Sequence, residues 1–407
     1  MTDQDSRNTE RLRQDDPMKT MDHDADRQPP PEKSQGSDSR KPGLKILFAT
    51  AHPHLPQIAG GLQSSTQETM RLLTERGHET RLLCGLTGAG LLGLRHRLTL
   101  KLRRRHIGID KATGQVTYRV WHSADPAALA EVRDHFHPDV VVAQGGGAVR
   151  LASACGALDL PAMIHFRNVE FAGLRAEVAA LDPATIFISN SNFTRTRARA
   201  DLGVDSRVIY PVIDAATYRV LPGGSHCVFV NPHPSKGIAI ALELAKACPD
   251  IPFLIVEAWT LDGPEHSANR QRAAALRNIT WLRRIADMRV VYAQARLILV
   301  PSRWEEAFGR VVAEAQVSGI PAIVSDIGGL PEAVGPGGIR VSPTAPVETW
   351  RKALRRVWDD PTEQARLATA ALRHAGRAEM AASAQIDALE NALYERIGTA
   401  KAMAVGG

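Results

Sequence analysis

The sequence predicts an α/β protein built from two doubly wound domains that face a cleft. Three observations carry this expectation. Short apolar runs alternate with helical stretches along nearly the whole chain, the pattern of βα units in parallel sheets. The alternation falls into two successive halves without sequence repeats, joined by the turn-rich segment Leu221–Gly224 (LPGG). The 407 residues, 44% of them apolar, are enough for two domains of ordinary size, each with its own core.

Residues 1–43 are rich in Asp, Arg, Ser, Gln and Pro and almost free of large apolar side chains, so they are expected to be a disordered tail. A domain over 44–220 follows. Lys45–Thr50 (KILFAT) reads as its first buried strand. Gly60 and Gly61 end the next loop, and Leu62–Glu75 reads as a helix with Ser64, Ser65 and Thr66 as capping candidates. A glycine pair before a helix N-terminus lets backbone N–H groups come close to a phosphate, although a plain turn fits it equally well. Thr80–Cys84 is the second strand.

Leu91–His106 is the most basic segment, with Arg95, Arg97, Lys101, Arg103, Arg104 and Arg105 interleaved with Leu94, Leu98, Leu100 and Leu102. It reads either as a solvated helix or loop face, or as a contact for an acidic acceptor or a membrane surface. Val140–Ala143, Pro161–Phe166 and Thr185–Ile188 are further strands. A helix runs from Gly145-Gly146-Gly147 to Cys155, and another spans Phe193–Asp201, capped within Ser189–Asn192. His165, Arg167 and Asn168 stand at the carboxyl end of one of these strands, where an ordinary structural histidine and a site histidine fit equally well.

The domain over 221–378 opens with strand Cys227–Val230, loop Asn231–Ser235, then Lys236-Gly237 and helix Ile238–Ala247. Phe253–Val256 and Ile279–Leu282 are strands, and Asp287 is a candidate cap for a short helix to Ala293. The decisive stretch comes next. Arg296–Val300 is a buried strand, and Pro301–Gly309 is a loop bearing Glu305 and Glu306. A helix then follows with Val311, Val312, Ala315 and Val317 as its apolar face and Glu314 on another side. Gly319 ends it, and Ile320–Val324 is the next strand. Loops at the carboxyl ends of parallel strands carry ligand chemistry, which is where Glu306 and Glu314 fall. By themselves two such carboxylates also suit the acid and base of a hydrolase. Residues 346–359 and 362–397 read as helical, and 379–407 is expected as a C-terminal helix crossing back to the first domain.

The net charge of +6 is unevenly spread: residues 1–43 hold ten acidic and eight basic side chains, which leaves about +8 on the rest. That surplus suits an anionic ligand or surface. No helix-turn-helix, zinc-finger or RNP signature accompanies it, so nucleic acid is not an expected partner. Four scattered cysteines, Cys84, Cys155, Cys227 and Cys248, lack metal-ligand spacing and fit reduced thiols of a cytoplasmic protein. No signal-peptide pattern and no run of about 18 apolar residues is present.

With these residues laid out, Lys45 to Ile397 resembles the retaining nucleotide-sugar glycosyltransferases of family four, which have the GT-B fold of two Rossmann-like domains. Glu306-Ala307-Phe308-Gly309 followed by Glu314 looks like that family's E-x7-E motif, with EGFG appearing as EAFG. Gly319-Ile320-Pro321 and Gly328-Gly329-Leu330-Pro331-Glu332 match its continuation. The resemblance implies that Glu314 binds the two ribose hydroxyls and that Glu306 contacts hydroxyls of the donor sugar. Backbone N–H groups around Ala307, Phe308, Gly309 and Arg310 then face the sugar and diphosphate. It further implies that Lys236 neutralises the diphosphate, opposite the loop of Gly60 and Gly61, and that His165 lies near the reacting sugar. Arg284 falls where the family's loop cradles the base.

One position departs from the pattern. The family's usual arginine five residues before the lysine is Asn231 here, which carries no charge; Arg310 or Arg167 is the candidate replacement. The implied reaction moves a sugar from a nucleoside-diphosphate sugar to an acceptor hydroxyl, in glycan, polysaccharide or glycolipid synthesis, with retention through front-face attack. No cofactor is implied, and the folded part shows no Asp-x-Asp motif of the kind that holds a divalent ion. The basic segment Arg95–Arg105 points to an acidic or lipid-linked acceptor and to peripheral contact with a membrane. The competing readings are a nucleotide-sugar-binding protein with weakened catalysis, and an inverting transferase or epimerase on the same fold.

Overall fold

The computed structural model describes residues 42–258, 261–283 and 285–405; the expected tail up to residue 41 and Arg284 lie outside the described residues. Two parallel-sheet domains make up the described chain. The first sheet holds β1 (Lys45–Pro53), β2 (Glu79–Gly85), β3 (Gly108–Asp110), β4 (Thr117–Val120), β5 (Val140–Gln144), β6 (Ala162–Phe166), β7 (Phe187–Ser189) and β8 (Arg207–Val208). Their order is β3-β4-β2-β1-β5-β6-β7-β8, parallel throughout except for the β3–β4 pair. The second holds β9 (His226–Val230), β10 (Phe253–Val256), β11 (Ile279–Leu282), β12 (Ala295–Val300), β13 (Ala322–Ser325) and β14 (Gly338–Val341), ordered β11-β10-β9-β12-β13-β14 and all parallel.

The strands read as continuous apolar runs because helices cover both faces of each sheet. In β1, Leu47 and Ala49 face one core while Ile46 and Phe48 face another, and all four are fully buried. The second of these cores is completed by Ile386, Leu389, Ala392 and Leu393 from the helix Ala382–Val405. That last helix therefore packs on the first sheet after two helices, Val347–Asp359 and Pro361–Ala375, that belong to the second. Arg396 fastens it there through the Ala162 carbonyl at 2.9 Å and through Asp182.

The strand order reverses direction at β1/β5 and again at β9/β12, and crevices at such switch points open beyond the carboxyl ends of the strands. The loops after β1, β9 and β12 meet there.

Several local expectations change. Ser64, Ser65 and Thr66 do not cap the first helix: it begins at Gly61 with Gly60 as its cap residue, and Thr66 donates back to the Leu62 carbonyl within the helix. β3, β4, β14 and the helices Pro126–Phe136, Arg175–Ala179, Ala215–Tyr218, Pro264–Ala274 and Leu330–Val334 were not expected from the sequence. β4 reads TYRV, and its arginine hides the strand from an apolar-run search. Arg119 is fully buried only because Asp110 on β3 meets its Nε at 2.6 Å. The expected helix 362–397 is broken at 376–381 by Gly376 and a 3-10 turn, which redirects the chain to the first sheet.

Candidate functional site

The crevice between the sheets is walled on one side by the loop after β1. This loop is held from beneath: Arg119 Nη2 donates to the Leu55 carbonyl at 2.6 Å, and Gln57 Nε2 donates to the Thr87 carbonyl at 2.9 Å. It delivers Gly60 and Gly61 to the start of the helix Gly61–Glu75, whose first N–H groups have no partner within the helix, as at any helix N-terminus. A side chain on Gly61 would touch Arg310 across the gap at 3.8 Å.

On the opposite side, β9 ends at Asn231, which adopts a left-handed φ of 74°. Asparagine tolerates that conformation better than most residues. Its N–H bonds the Val256 carbonyl at 2.7 Å, while its buried Oδ1 has no protein partner. A 3-10 turn, Pro234–Lys236, then raises Lys236 over the crevice and closes on Gly237, which must be glycine. With φ of 84°, a Cβ there would collide with the Pro301 carbonyl oxygen at 2.0 Å. Lys236 Nζ meets Glu306 Oε1 at 2.6 Å, so the cation and the loop carboxylate form one unit.

The Glu306 loop is clamped on three sides. Arg303 N–H bonds the Ser235 carbonyl at 2.8 Å, and Gly329 N–H bonds the Glu306 carbonyl at 2.7 Å. From the first domain, Ser191 and Thr194 donate to the Ala307 carbonyl at 2.5 and 3.1 Å, and Arg197 pairs with Glu305 at 2.5 Å. Glycine at 329 permits this: a Cβ would stand 2.6 Å from the Ala307 oxygen. Phe308 is buried against Tyr210, leaving only its backbone toward the crevice.

Glu314 does not lie on a solvated side of its helix Arg310–Gln316; it is buried with Arg310. Arg310 Nε meets Glu314 Oε1 at 2.5 Å, its Nη2 reaches Glu68 at 2.6 Å and Tyr218 at 2.7 Å, and its Nη1 reaches the Val212 carbonyl at 2.8 Å. Tyr292 donates to Glu314 Oε2 at 2.6 Å. Burial raises the Glu314 pKa by more than the Arg310 charge lowers it. Burial works against the Arg310 charge too, but Glu314, Tyr218 and Glu68 outweigh it and hold the guanidinium above the ordinary arginine range. The Arg310 side chain is thus shared between two carboxylates.

Gly60, Gly61, Asn231, Lys236, Glu306, Gly309, Arg310 and Glu314 all line one cavity of about 380 Å3, whose floor is apolar, with Val230, Val256, Met288 and Val311. A second compartment of about 190 Å3 adjoins it, walled by Gly61, Ser65, Arg167, Glu306, Ala307 and Phe308. Arg167 Nη1 donates to Ser65 Oγ at 2.6 Å, and its buried Nε has no protein partner. Desolvation, with Arg310 nearby, pushes its pKa down to about 9. His165 lines neither compartment. It is buried behind Arg167, its Nε2 without a partner, and burial together with the Arg167 charge holds its pKa well below the usual histidine value.

Comparison with known proteins decides the family. Residues 59–217 match the model of the family described as "Glycosyltransferase Family 4", and residues 231–374 that of "Glycosyl transferases group 1". The chain belongs to the family-four glycosyltransferases of GT-B fold. Relatives of this family-four chain include D-inositol 3-phosphate glycosyltransferases. That of Segniliparus rotundus is 31% identical over 202 residues, covering 47% of this chain and 41% of the relative. That of Corynebacterium diphtheriae is 39% identical over 97 residues, covering 23% and 22%. The chain thus spans about two fifths or less of the length of these curated relatives.

Among solved structures, Anabaena HepE in complex with UDP-glucose superposes with a TM-score of 0.68 at 20% identity, over 86% of this chain and all of that one. Sucrose-phosphate synthase from Thermosynechococcus elongatus gives 0.68 at 17% identity, over 88% and 100%. At these identities the likeness is one of fold. Three neighbours of Arg310 and Glu314 escaped the sequence reading: Glu68, Tyr218 and Tyr292. Each sits on a different helix, and nothing in its local pattern marks it as a partner of Arg310 and Glu314.

Proposed function

We propose that this protein is a retaining glycosyltransferase that moves a sugar from a nucleoside-diphosphate sugar to the hydroxyl of an acidic acceptor. The observation that carries the reading is the convergence of Lys236, Glu306, Glu314 and the Gly60-Gly61 helix start on one cavity between two switch points. The nucleoside occupies the apolar floor, and its ribose hydroxyls reach the Glu314 carboxylate. Each oxygen of that carboxylate keeps a lone pair beyond its bond to Arg310 or Tyr292. The diphosphate lies between Lys236 and the helix start, so Lys236 turns from Glu306 toward phosphate as Glu306 takes up sugar hydroxyls.

In the reaction, the bond from the anomeric carbon to the diphosphate oxygen breaks, and charge accumulates on the departing diphosphate. Lys236 and the helix N–H groups stabilise that charge. The acceptor oxygen bonds the anomeric carbon from the same face, and its proton passes to the departing phosphate. Arg167 supplies the second positive charge in place of Asn231, from the first domain rather than the second. Its uncompensated guanidinium in the adjoining compartment supports this. The test is incubation with a panel of UDP-, GDP- and ADP-sugars, following nucleoside-diphosphate release and reading the product anomer by NMR. Release from no donor overturns the reading, and an inverted anomer overturns retention.

A further inference from the structure

The helix Gly90–Arg103 is apolar on two opposite sides. Its inner side, Leu100 with His96, packs into the protein. Its outer side carries Leu91, Leu94, Leu98 and Leu102, exposed by 88, 51, 50 and 79%. At 100° per residue these four fall within one stripe of roughly 80°. Exposed Arg95 flanks the stripe on one edge, and exposed Lys101 and Arg97 on the other. From Leu86 to Gly108 the chain has no acidic residue; Glu131 and Asp125, from the next helix and its cap, reach only Arg105 and His106, beyond the helix end. Half-exposed Trp121 stands beside the approach to the helix, with its ring 3.8 Å from where a Cβ on Gly88 would be.

A solvated helix face has no use for four leucines in a row, and a loosely hydrated protein contact would not be ringed by charge of one sign. We propose that this helix docks flat on an anionic lipid bilayer, burying the leucine stripe among the acyl chains while its arginines and lysine meet the lipid phosphates. Trp121 takes the depth at which indoles settle, the boundary between headgroups and hydrocarbon. The contact is peripheral: among the described residues no helix is long and apolar enough to cross a membrane.

The docking helix is hydrogen-bonded to the loop that walls the nucleotide cavity. His96 Nε2 and Arg119 Nε share Asp110 Oδ2 at 3.0 and 2.6 Å, and Arg119 holds the Leu55 carbonyl. Gln57 of the same loop spans residues 87–89 just before the helix, donating to the Thr87 carbonyl and accepting the Thr87 N–H. Docking therefore sets how the mouth of the crevice faces the bilayer. The proposal does not depend on which reaction the crevice performs.

Flotation with unilamellar vesicles of phosphatidylcholine and phosphatidylglycerol tests it. The full-length protein is expected to float with these vesicles at about 0.01 M salt, to release from them near about 1 M, and to stay off pure phosphatidylcholine. Leu94→Glu combined with Leu98→Glu is expected to weaken partitioning roughly ten-fold or more, with an unchanged melting curve. Arg95→Gln with Lys101→Gln gives an independent reading that leaves every leucine in place, and is expected to lose anionic selectivity. A wild-type protein that stays off anionic vesicles at low salt overturns the proposal, as does a leucine variant that floats like the wild type. A wild-type dimer that this variant converts to monomer, without vesicle binding, would instead make the face a contact between copies.

Discussion

Lys236 Nζ lies 2.6 Å from Glu306 Oε1, with each side chain 18% exposed, so a cation from the loop after β9 and a carboxylate from the loop after β12 neutralise one another above the cavity. A diphosphate sugar would offer an alternative partner to each: phosphate to the lysine and hydroxyls to the glutamate. Lys236→Ala and Glu306→Ala are therefore each expected to lower transfer about a hundred-fold or more. Both side chains reach solvent, so melting temperatures should stay close to that of the wild type. Initial rates alongside circular-dichroism melts check this; full activity in both variants removes the site assignment.

Two substitutions separate the structural role of Glu314 from the ligand role proposed for it. Glu314→Ala leaves Tyr292 without this acceptor and Arg310 with Glu68 as its remaining carboxylate partner, and is expected to cost about 3 kcal/mol in urea unfolding. Glu314→Gln keeps the Tyr292 bond and should recover part of that stability. It removes the charge-assisted acceptor for a cis-diol, so calorimetry should show weaker nucleotide binding. Unchanged binding in the glutamine variant counts against the ribose role.

Arg167 is expected to serve the diphosphate. Arg167→Gln should raise the donor KM roughly ten-fold, the size of one charge-assisted hydrogen bond, with acceptor held saturating. Arg167→Lys should restore part of the loss. If only the acceptor KM rises, the charge belongs to the acceptor.

Stability is expected to fall on acidification through His54. This histidine is fully buried at the start of the loop after β1, and neither ring nitrogen has a hydrogen-bond partner among the described residues. Burial, then the Arg119 charge, lowers its pKa from 6.5 to about 4. The unfolded chain therefore binds a proton between about pH 6.5 and pH 4 that the folded chain refuses, and stability rises with pH across that window. The contribution present at neutral pH is about 3 kcal/mol, lost as pH falls toward 4. His165, shifted in the same direction by burial and Arg167, adds to it. Urea midpoints measured from pH 7 to 4 should fall less steeply in His54→Leu than in the wild type. Parallel curves would show that His54 is not the group responsible.

Much of the fold is legible along the chain because a strand covered on both faces must be apolar throughout. KILFAT, CVFV and RLILV announce themselves, and Gly309, Gly319 and Gly328 mark the turns between. β3, β4, β14 and several helices were missed because they are short or their burial depends on partners far away in sequence. Arg119 reads as a surface residue until Asp110 and the Leu55 carbonyl are beside it. The Glu306–Glu314 spacing draws attention to one stretch of chain, but spacing is a one-dimensional quantity.

The sequence by itself determined the alternation of βα units, the glycine positions that permit the close turns, and the family to which the chain belongs. Only the tertiary structure decided how charges are shared. It placed Arg310 between Glu68 and Glu314, left Arg167 without a carboxylate among the described residues, set Lys236 against Glu306, and turned four leucines of one helix outward. Backbone conformation follows from neighbours a few residues away, whereas the state of a buried charge follows from whatever the fold brings within a few ångströms.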